Sequence, residues 1–234
     1  MNIEKFKRII VKRAKRLKFD NVYKLIENKP FILAGGALCS QTPNDFDIYP
    51  SDGKEFNLNN ITNELTTFDK NRVKFITRTK NALTIIVDGQ TLQFCTYVKN
   101  NIDELIKSFD FAHCQIGVCF NGYGQSPTIE GVRYTEDYLT SQLCGGTFYT
   151  GSEYPLSSLF RTIKYASRGK FNGKEHIDAI MDILMDVVKR KFHDYNDYKD
   201  QLDAIDLGLS EYVKAYELYK VFEQNGMVEN SKSN

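Results

Sequence analysis

Several common signatures are missing from this 234-residue sequence, and each absence excludes a class of protein. Its five cysteines never form a CxxC pair and its three histidines lack zinc-ligand spacing, which argues against a disulfide framework and a structural zinc. No run approaches the roughly 18 apolar residues of a membrane helix, and the basic N-terminus lacks the apolar segment of a signal peptide. P-loop, Ser-His-Asp and Cys-His signatures are missing as well. We therefore expect a cytoplasmic protein with reduced thiols and no membrane partner.

The charge is balanced overall but concentrated at the N-terminus. Lys and Arg number 31 and Asp and Glu number 30, so the net charge of +1 indicates no particular partner. Residues 1–18, however, hold eight bases and a single acid, Glu4. The apolar residues of this stretch recur at helical spacing: Ile3, Phe6, Ile10, Ala14 and Leu17. The pattern predicts a basic amphipathic helix over 1–19, whose charges form either a solvated face or a contact for RNA phosphates.

Strand patterns dominate up to about residue 150, and helical patterns follow. Apolar runs, alternation and turn residues predict strands at 31–34, 45–49, 73–77, 82–87, 92–98 and 111–120. Helical spacing is found at 57–67, 102–108, 155–169, 175–193 and 197–224. We therefore expect an α/β (α+β) head with a mixed sheet, followed by a small all-helical domain. The expected divisions are 1–19 for the basic helix, 20–150 for the head, 151–224 for the helical domain and 225–234 for a frayed tail.

A glycine turn and a pair of aspartates carry most of the functional information. Gly35-Gly36 ends a short apolar strand, and such a turn lets the backbone approach phosphate oxygens without an intervening side chain. Asp45 and Asp47 are two apart in the next strand, so both project to one face. Paired carboxylates suit Mg²⁺, which takes its remaining ligands from water and substrate phosphates. A cation site and an anion site this close together are typical of phosphoryl transfer.

The order of these features resembles the polymerase-beta-like nucleotidyltransferases, whose head carries a strand, Gly-Gly or Gly-Ser, a helix and a strand with Asp-x-Asp. Four segments are similar to motifs of the class II tRNA nucleotidyltransferases (CCA-adding enzymes) and bacterial poly(A) polymerases. They are Gly35–Ser40, Leu92–Tyr97, Ser108–Gln115 and Glu153–Phe171. The last is the most specific, because its Pro, Leu, basic triplet and Gly keep their spacing. The Phe-Asp-Phe sequence around Asp110 also resembles small phage and giant-virus nucleotidyltransferase-like proteins.

The resemblance implies a metal-dependent transfer of a nucleoside monophosphate from a nucleoside triphosphate to an acceptor hydroxyl, most plausibly an RNA 3′ end such as that of tRNA. The metal, Mg²⁺ or Mn²⁺, is expected on Asp45, Asp47 and Asp110, which are also the expected catalytic residues. The implied nucleotide-binding residues, which would include the ATP-contacting groups, are Gly35, Gly36, Ser40, Gln93, Arg161, Lys164, Tyr165 and Arg168.

Gln93 is the most serious departure from the family pattern. It stands where a third metal-binding carboxylate is expected, and a neutral amide is a weaker Mg²⁺ ligand. Two interpretations stay open: Asp110 completes a three-aspartate site for two metals, or the fold is catalytically degenerate and binds nucleotide or RNA without turnover. Cys39 and Ser40 replace the family's turn Arg and Asp.

The family's base-reading Asp and Arg are also missing from the segment that begins at Glu153. Because those side chains read the edge of the incoming base, the choice of nucleotide does not transfer to this chain. The length of 234 residues leads us to expect a minimal transferase, with a smaller or different acceptor than longer relatives handle.

Overall fold

A computed structural model describes residues 3–40, 43, 45–79, 82–122, 128–203 and 224. The chain divides into two compact units, residues 1–143 and 144–234, and each is described by itself. The sequence-based boundary at 150/151 lies a little C-terminal to this division. The frayed tail expected at 225–234 lies outside the described residues, as does most of the helix expected at 197–224.

The first unit is built around a seven-stranded sheet. Its strands are β1 (Phe31–Ala34), β2 (Asp45–Pro50), β3 (Val73–Arg78), β4 (Ala82–Val87), β5 (Gln90–Cys95), β6 (Ile116–Asn121) and β7 (Thr128–Tyr134). The spatial order is β3-β4-β5-β2-β1-β6-β7. Only the central pair β2 and β5 is parallel, and the other neighbours are antiparallel. The helices are α1 (Ile3–Ala14), α2 (Phe19–Leu25), α3 (Gly36–Cys39), α4 (Leu58–Leu65), α5 (Ile102–Lys107) and α6 (Glu136–Cys144), the last of which ends at the division.

The main hydrophobic core covers one face of the sheet. It combines the buried faces of α1, α2 and α4 with inward residues of the strands, because alternate strand residues point to this side. Aromatic rings meet at its centre, where Phe31 and Phe120 stack with centroids 4.8 Å apart and Phe19 lies 4.9 Å from Phe120. This core therefore packs against one face of the sheet, and the opposite face is available for other contacts.

On the opposite face of the sheet, α5 covers the part formed by β1 and β6. Leu105 and Ile106 of α5 pack on Ile32 and Ala34 of β1. The helix approaches β6 so closely that a Cβ atom on Gly117 would lie 2.9 Å from Cδ1 of Ile102 in α5. The part of this face formed by β2, β5 and β4 carries partly exposed polar side chains. This open half of the sheet, defined by Asp45, Asp47, Thr84, Thr91 and Gln93, is the setting of the candidate site.

A polar network ties the β4–β5 turn to the helices on the core side. Asp88 has a positive φ of 49°, accepts two hydrogen bonds from Arg72 at 2.9 and 2.7 Å, and accepts one from Asn21 at 2.9 Å. Lys18 Nζ donates to the carbonyl of Asp88, and the side chain of Gln90 donates to the carbonyl of Arg16. The turn that starts β5 is therefore held in register by the segment after α1.

The second unit is helical in its described part. Its helices are α7 (Pro155–Ser167), α8 (Gly173–Lys189) and α9 (Tyr195–Asp203). Pro155 at the start of α7 has a preset φ, and Asn172 with Glu175 forms a capping box on α8. The side chain of Gln201 donates to the carbonyl of Glu153 at 3.1 Å, which links α9 to the start of α7.

The architecture confirms the expected fold class, a mixed α/β head followed by helices, but local details differ. The strand expected at 111–120 was wrong in its first half, because a 3-10 helix occupies Ala112–Cys114 and β6 begins only at Ile116. The strand expected to end at Val98 ends at Cys95. Sequence patterns also missed α2, β7 and α6.

Candidate active site

Two aspartates lie on one face of strand β2. Asp45 and Asp47 alternate with two buried apolar residues, so both carboxylates lie on the open half of the sheet, where each is partly exposed. The parallel strand β5 aligns Thr91 with Asp45 and Gln93 with Asp47. The predicted carboxylate pair is therefore presented side by side, and the amide of Gln93 occupies the position next to Asp47.

The glycine turn passes beside one of these carboxylates. Gly35 has φ 74° and ψ −140°, a conformation that only glycine adopts without strain. A Cβ atom at this position would lie 3.6 Å from Asp47 Oδ2 and 3.9 Å from the ring of Phe109. A Cβ atom at Gly36 would have no neighbour within 4 Å. The positive φ at position 35 therefore requires glycine, whereas at position 36 no neighbouring atom would prevent a side chain.

Cys39 and Ser40, which replace the family's Arg and Asp, have local structural contacts. The thiol of Cys39 donates to the carbonyl of His113 at 2.6 Å and lies 3.4 Å from the carbonyl of Gly35. The amide of Ser40 donates to the carbonyl of Gly36 at 3.1 Å and ends the short helix α3. These contacts fasten the turn to the 3-10 segment, so the thiol has a stabilising role at a position where the family carries a charge.

Asp110, the third carboxylate expected at the metal, lies in a buried bend of the chain. Its side chain is buried, with 5% of its surface exposed, and it lies in the bend before the 3-10 helix rather than on a strand face. Across the residues that the model describes, no group of three His, Cys, Asp or Glu side chains is placed to hold a metal ion. The three-aspartate site expected from the sequence therefore stays a prediction.

A buried glutamine that sequence reasoning missed holds the loop of Asp110. Gln115 donates through Nε2 to the carbonyl of Phe109 at 2.9 Å and accepts through Oε1 from the hydroxyl of Thr135 at 2.6 Å. Thr135 in turn accepts from the amide of Tyr138 at the start of α6. The only signal in the sequence is the place of Gln115 in the last position of the motif that resembles the family.

The buried thiol of Cys95 is sensitive to the negative charge of the site. Burial raises the pKa of Cys95 well above its usual range, and the neighbouring carboxylates of Asp47 and Asp45 raise it further, whereas a hydrogen bond with Tyr49 lowers it. Both aspartates therefore act on one buried atom of strand β5. The same negative potential favours a cation on the open half of the sheet.

The remaining predicted residues belong to the second unit. Arg161, Lys164 and Tyr165 are partly buried on α7, and the exposed Arg168 follows its last residue. Arg161, Lys164 and Arg168 are spaced i, i+3 and i+7, so they share one side of the helix. Their contact with a triphosphate stays a prediction, since it depends on residues of both units.

The donor set fits one magnesium ion better than two. Mg²⁺ binds through one or two carboxylates and completes its shell with water and phosphate oxygens, which Asp45 and Asp47 allow. A two-metal site needs further carboxylate ligands, and Gln93 cannot supply negative charge. The residues present therefore fit a single Mg²⁺ or Mn²⁺ ion that arrives with a nucleotide.

Comparisons with known proteins bear on the family and the fold of this chain. A family model described as "Gad2: Gabija anti-defense 2 family protein" matches residues 4–141. No curated protein sequence matches the chain. Among the residues described, no helix is long and apolar enough to cross a membrane.

Solved structures show the same fold. The Thermotoga maritima CCA-adding enzyme in complex with tRNA is similar with a TM-score of 0.50 and 13% identity, over 94% of this chain and 54% of that one. A CCA-adding enzyme with CTP has a TM-score of 0.49, 13% identity and coverage of 93% and 52%. An apo tRNA-processing enzyme has a TM-score of 0.46, 15% identity and coverage of 100% and 60%. The chain thus spans little more than half the length of these proteins, and at this identity the likeness shows the nucleotidyltransferase fold alone.

Proposed function

Because the chain belongs to the Gabija anti-defense 2 family and its head places a glycine turn beside two strand carboxylates, we propose that it counteracts the Gabija defence through a nucleotidyltransferase-type site. The reaction is the transfer of a nucleoside monophosphate from a nucleoside triphosphate to an acceptor hydroxyl. The observation that carries the proposal is the position of Gly35, where an added Cβ atom would lie 3.6 Å from Asp47 Oδ2. In that arrangement a backbone segment that phosphate oxygens can approach lies beside the carboxylate that would bind the accompanying metal ion.

The residues of the head have distinct roles in this reaction. Gly35 adopts a positive φ beside Asp47 and presents its backbone to phosphate oxygens without an intervening side chain. Asp45 and Asp47 would hold one Mg²⁺ or Mn²⁺ ion, which neutralises phosphate charge and polarises the α-phosphate when bound. Gln93 positions an amide beside the acceptor and the nucleotide.

The proton of the acceptor must leave as the new bond forms. The acceptor oxygen bonds to the α-phosphorus, the bond from that phosphorus to the bridging oxygen breaks, and pyrophosphate departs. Gln93 is in register with Asp47 but cannot accept a proton, so a carboxylate of β2 or solvent takes it.

Two observations indicate the class of acceptor, and they favour different molecules. The resemblance to CCA-adding enzymes favours an RNA 3′ end, and membership of an anti-defence family favours a component of the Gabija system. In either case Arg161, Lys164 and Arg168 would balance the charge of the triphosphate, and Tyr165 would contact the base.

A transfer assay tests the enzyme proposal. The protein is incubated with Mg²⁺ or Mn²⁺, each labelled nucleoside triphosphate in turn, and either total RNA or the proteins of a Gabija-carrying cell. We expect label on a macromolecule with wild type and none with the double variant Asp45→Asn, Asp47→Asn. Asp52→Asn, an exposed aspartate outside the site, is the matched control and should transfer normally. Transfer that persists in the double variant would refute the assignment.

A binding module without turnover is the second candidate, and Gln93 with the lack of a three-ligand cluster favours it. Under this alternative wild type binds a nucleoside triphosphate in equilibrium dialysis but transfers nothing. Gln93→Asp, which restores a carboxylate in register with Asp47, should then introduce transfer. Infection of Gabija-carrying bacteria with and without each variant shows whether protection of the phage follows binding or transfer.

A further inference from the structure

The outer face of α1 carries a line of exposed cations. Its members are spaced three and four residues apart, so they fall on one side of the helix. They are Lys5, Arg8 and Lys12 of α1, and Lys15, which directly follows α1 and whose amide donates to the carbonyl of Val11 at 3.0 Å; together they are named here the cationic stripe. At 3.6 residues per turn the stripe covers an arc of about 80°. Its centre lies about 180° around the helix from Ile10, which is fully buried in the core. The stripe therefore projects directly away from the sheet.

The other two basic residues of α1 make contacts within the protein and are not part of the cationic stripe. Arg13 donates through Nη1 to the carbonyl of Leu38 at 2.7 Å and so supports the end of α3. Lys7 lies 3.7 Å from Glu4, the only acid of this segment. All four stripe residues are exposed, whereas Arg13 and Lys7 are partly buried. The helix thus separates structural bases from bases that face solvent.

From this arrangement we propose that the cationic stripe binds the phosphate backbone of a nucleic acid. At 1.5 Å per residue the stripe is about 15 Å long, and one strand of a duplex presents about four phosphates over that length. Its neighbouring cations are separated by about 5 Å along the axis, so each can meet a different phosphate. The number of charges therefore matches the number of phosphates along one strand.

The chemistry of the face argues against a protein partner. The cores of protein interfaces are enriched in aromatic residues and Arg and depleted of Lys. Between Lys5 and Lys15 the exposed positions include one apolar side chain, Ile9, at 43% exposure. A lysine-rich face with a single apolar residue offers little apolar surface to exclude water from an interface with an acidic protein. Its charges can, however, pair with the phosphates of a nucleic acid. This surface does not depend on the proposed transfer reaction, since it lies on the face of the head opposite the aspartates.

Salt-dependent binding tests the proposal. Binding of the full chain to a labelled poly(U) oligonucleotide and to a DNA duplex is measured between 50 and 200 mM salt. For four contacts to a single strand the slope of log K against log salt is about −2.8, which corresponds to an affinity loss of about 50-fold over this range. We expect the quadruple variant Lys5→Gln, Arg8→Gln, Lys12→Gln, Lys15→Gln to lose that part of the slope.

The matched control removes four other exposed lysines: Lys54→Gln, Lys70→Gln, Lys74→Gln and Lys174→Gln. It changes the net charge equally and should retain the slope. If the quadruple stripe variant does not fold, the double variant Lys5→Gln, Lys12→Gln should lose about half of the slope, equivalent to about 7-fold over the same salt range.

Three results would overturn the proposal. Equal losses in the stripe variant and the control would show that total charge alone matters. Absence of binding to both nucleic acids would remove the ligand. Tighter binding to poly-glutamate than to poly(U) of equal charge would assign the stripe to an acidic protein. The oligonucleotide-binding measurement needs neither a nucleoside triphosphate nor a divalent metal, whereas the transfer assay measures covalent label, so failure of the transfer proposal and failure of this one are distinguishable.

Discussion

The two adjacent glycines of the turn should respond in opposite directions to the same substitution. Gly35 has φ 74°, and an alanine there would be forced into a conformation that costs about 1–3 kcal/mol, with its Cβ against Asp47 and Phe109. Gly36 is the first residue of α3, and its Cβ position is open. Because alanine restricts the unfolded chain, Gly36→Ala should stabilise the fold by about 0.4–1 kcal/mol.

The measurement is urea unfolding of Gly35→Ala and Gly36→Ala beside wild type. The two variants should differ by about 1.4–4 kcal/mol in total, which at a slope near 2 kcal/mol/M separates their midpoints by about 0.7–2 M. Equal midpoints, or a less stable Gly36→Ala, would refute the reasoning from backbone conformation.

The same pair of variants separates folding from ligand contact. If Gly36 serves only the turn, Gly36→Ala binds a nucleoside triphosphate as wild type does in equilibrium dialysis. Weaker binding by a stabilised Gly36→Ala would instead mean that phosphate approaches this backbone as closely as the family resemblance implies. Gly35→Ala should weaken binding in both cases, because alanine strains the positive-φ conformation that the turn adopts beside Asp47.

Three further perturbations test other parts of the structure. Gly117→Ala should destabilise the head by about 1–3 kcal/mol in urea unfolding, because α5 must move away from β6, whereas a neutral result would mean that the helix yields freely. Hydrogen bonds from Arg72 and then Asn21 hold the pKa of Asp88 well below its usual range, so the stability it adds is complete above about pH 4 and is lost as the pH falls further. Thermal melts between pH 5 and 2 should therefore decline less steeply for Asp88→Asn than for wild type, and parallel declines would contradict this. Alkylation followed by mass spectrometry should label the exposed Cys144 rapidly and Cys95 slowly, because burial raises the pKa of the Cys95 thiol, and equal rates would contradict the burial of that strand.

Local sequence patterns were sufficient for most of the secondary structure. Alternation along Asp45–Pro50 placed two aspartates on one face, and β4 was expected at 82–87, where it is found. Residues 111–120 were misjudged because apolar residues continue through the 3-10 helix, and an apolar run alone does not distinguish a strand from a tight helical turn. The strand β7 was missed since its residues alternate between partial and full exposure, without a buried set to mark one face.

The candidate site was predictable only where one strand or one turn carries it. Asp45 and Asp47 share a face through strand geometry alone, and Gly35 follows from the need for positive φ. The position of Asp110 depends on how the segment after α5 is held by Gln115 and Thr135, which are 20 residues apart. No local pattern contains that contact.

The sequence alone therefore determined the carboxylate pair, the glycine turn and the amphipathic first helix, because each follows from the periodicity of a single element. Tertiary structure decided which of the predicted residues meet. The parallel pairing of β2 with β5 put a neutral amide beside Asp47, and the path of the chain after α5 placed Asp110 in a buried bend. Both results depend on contacts between distant segments, whose free energy is set by packing of the whole core and not by local propensity.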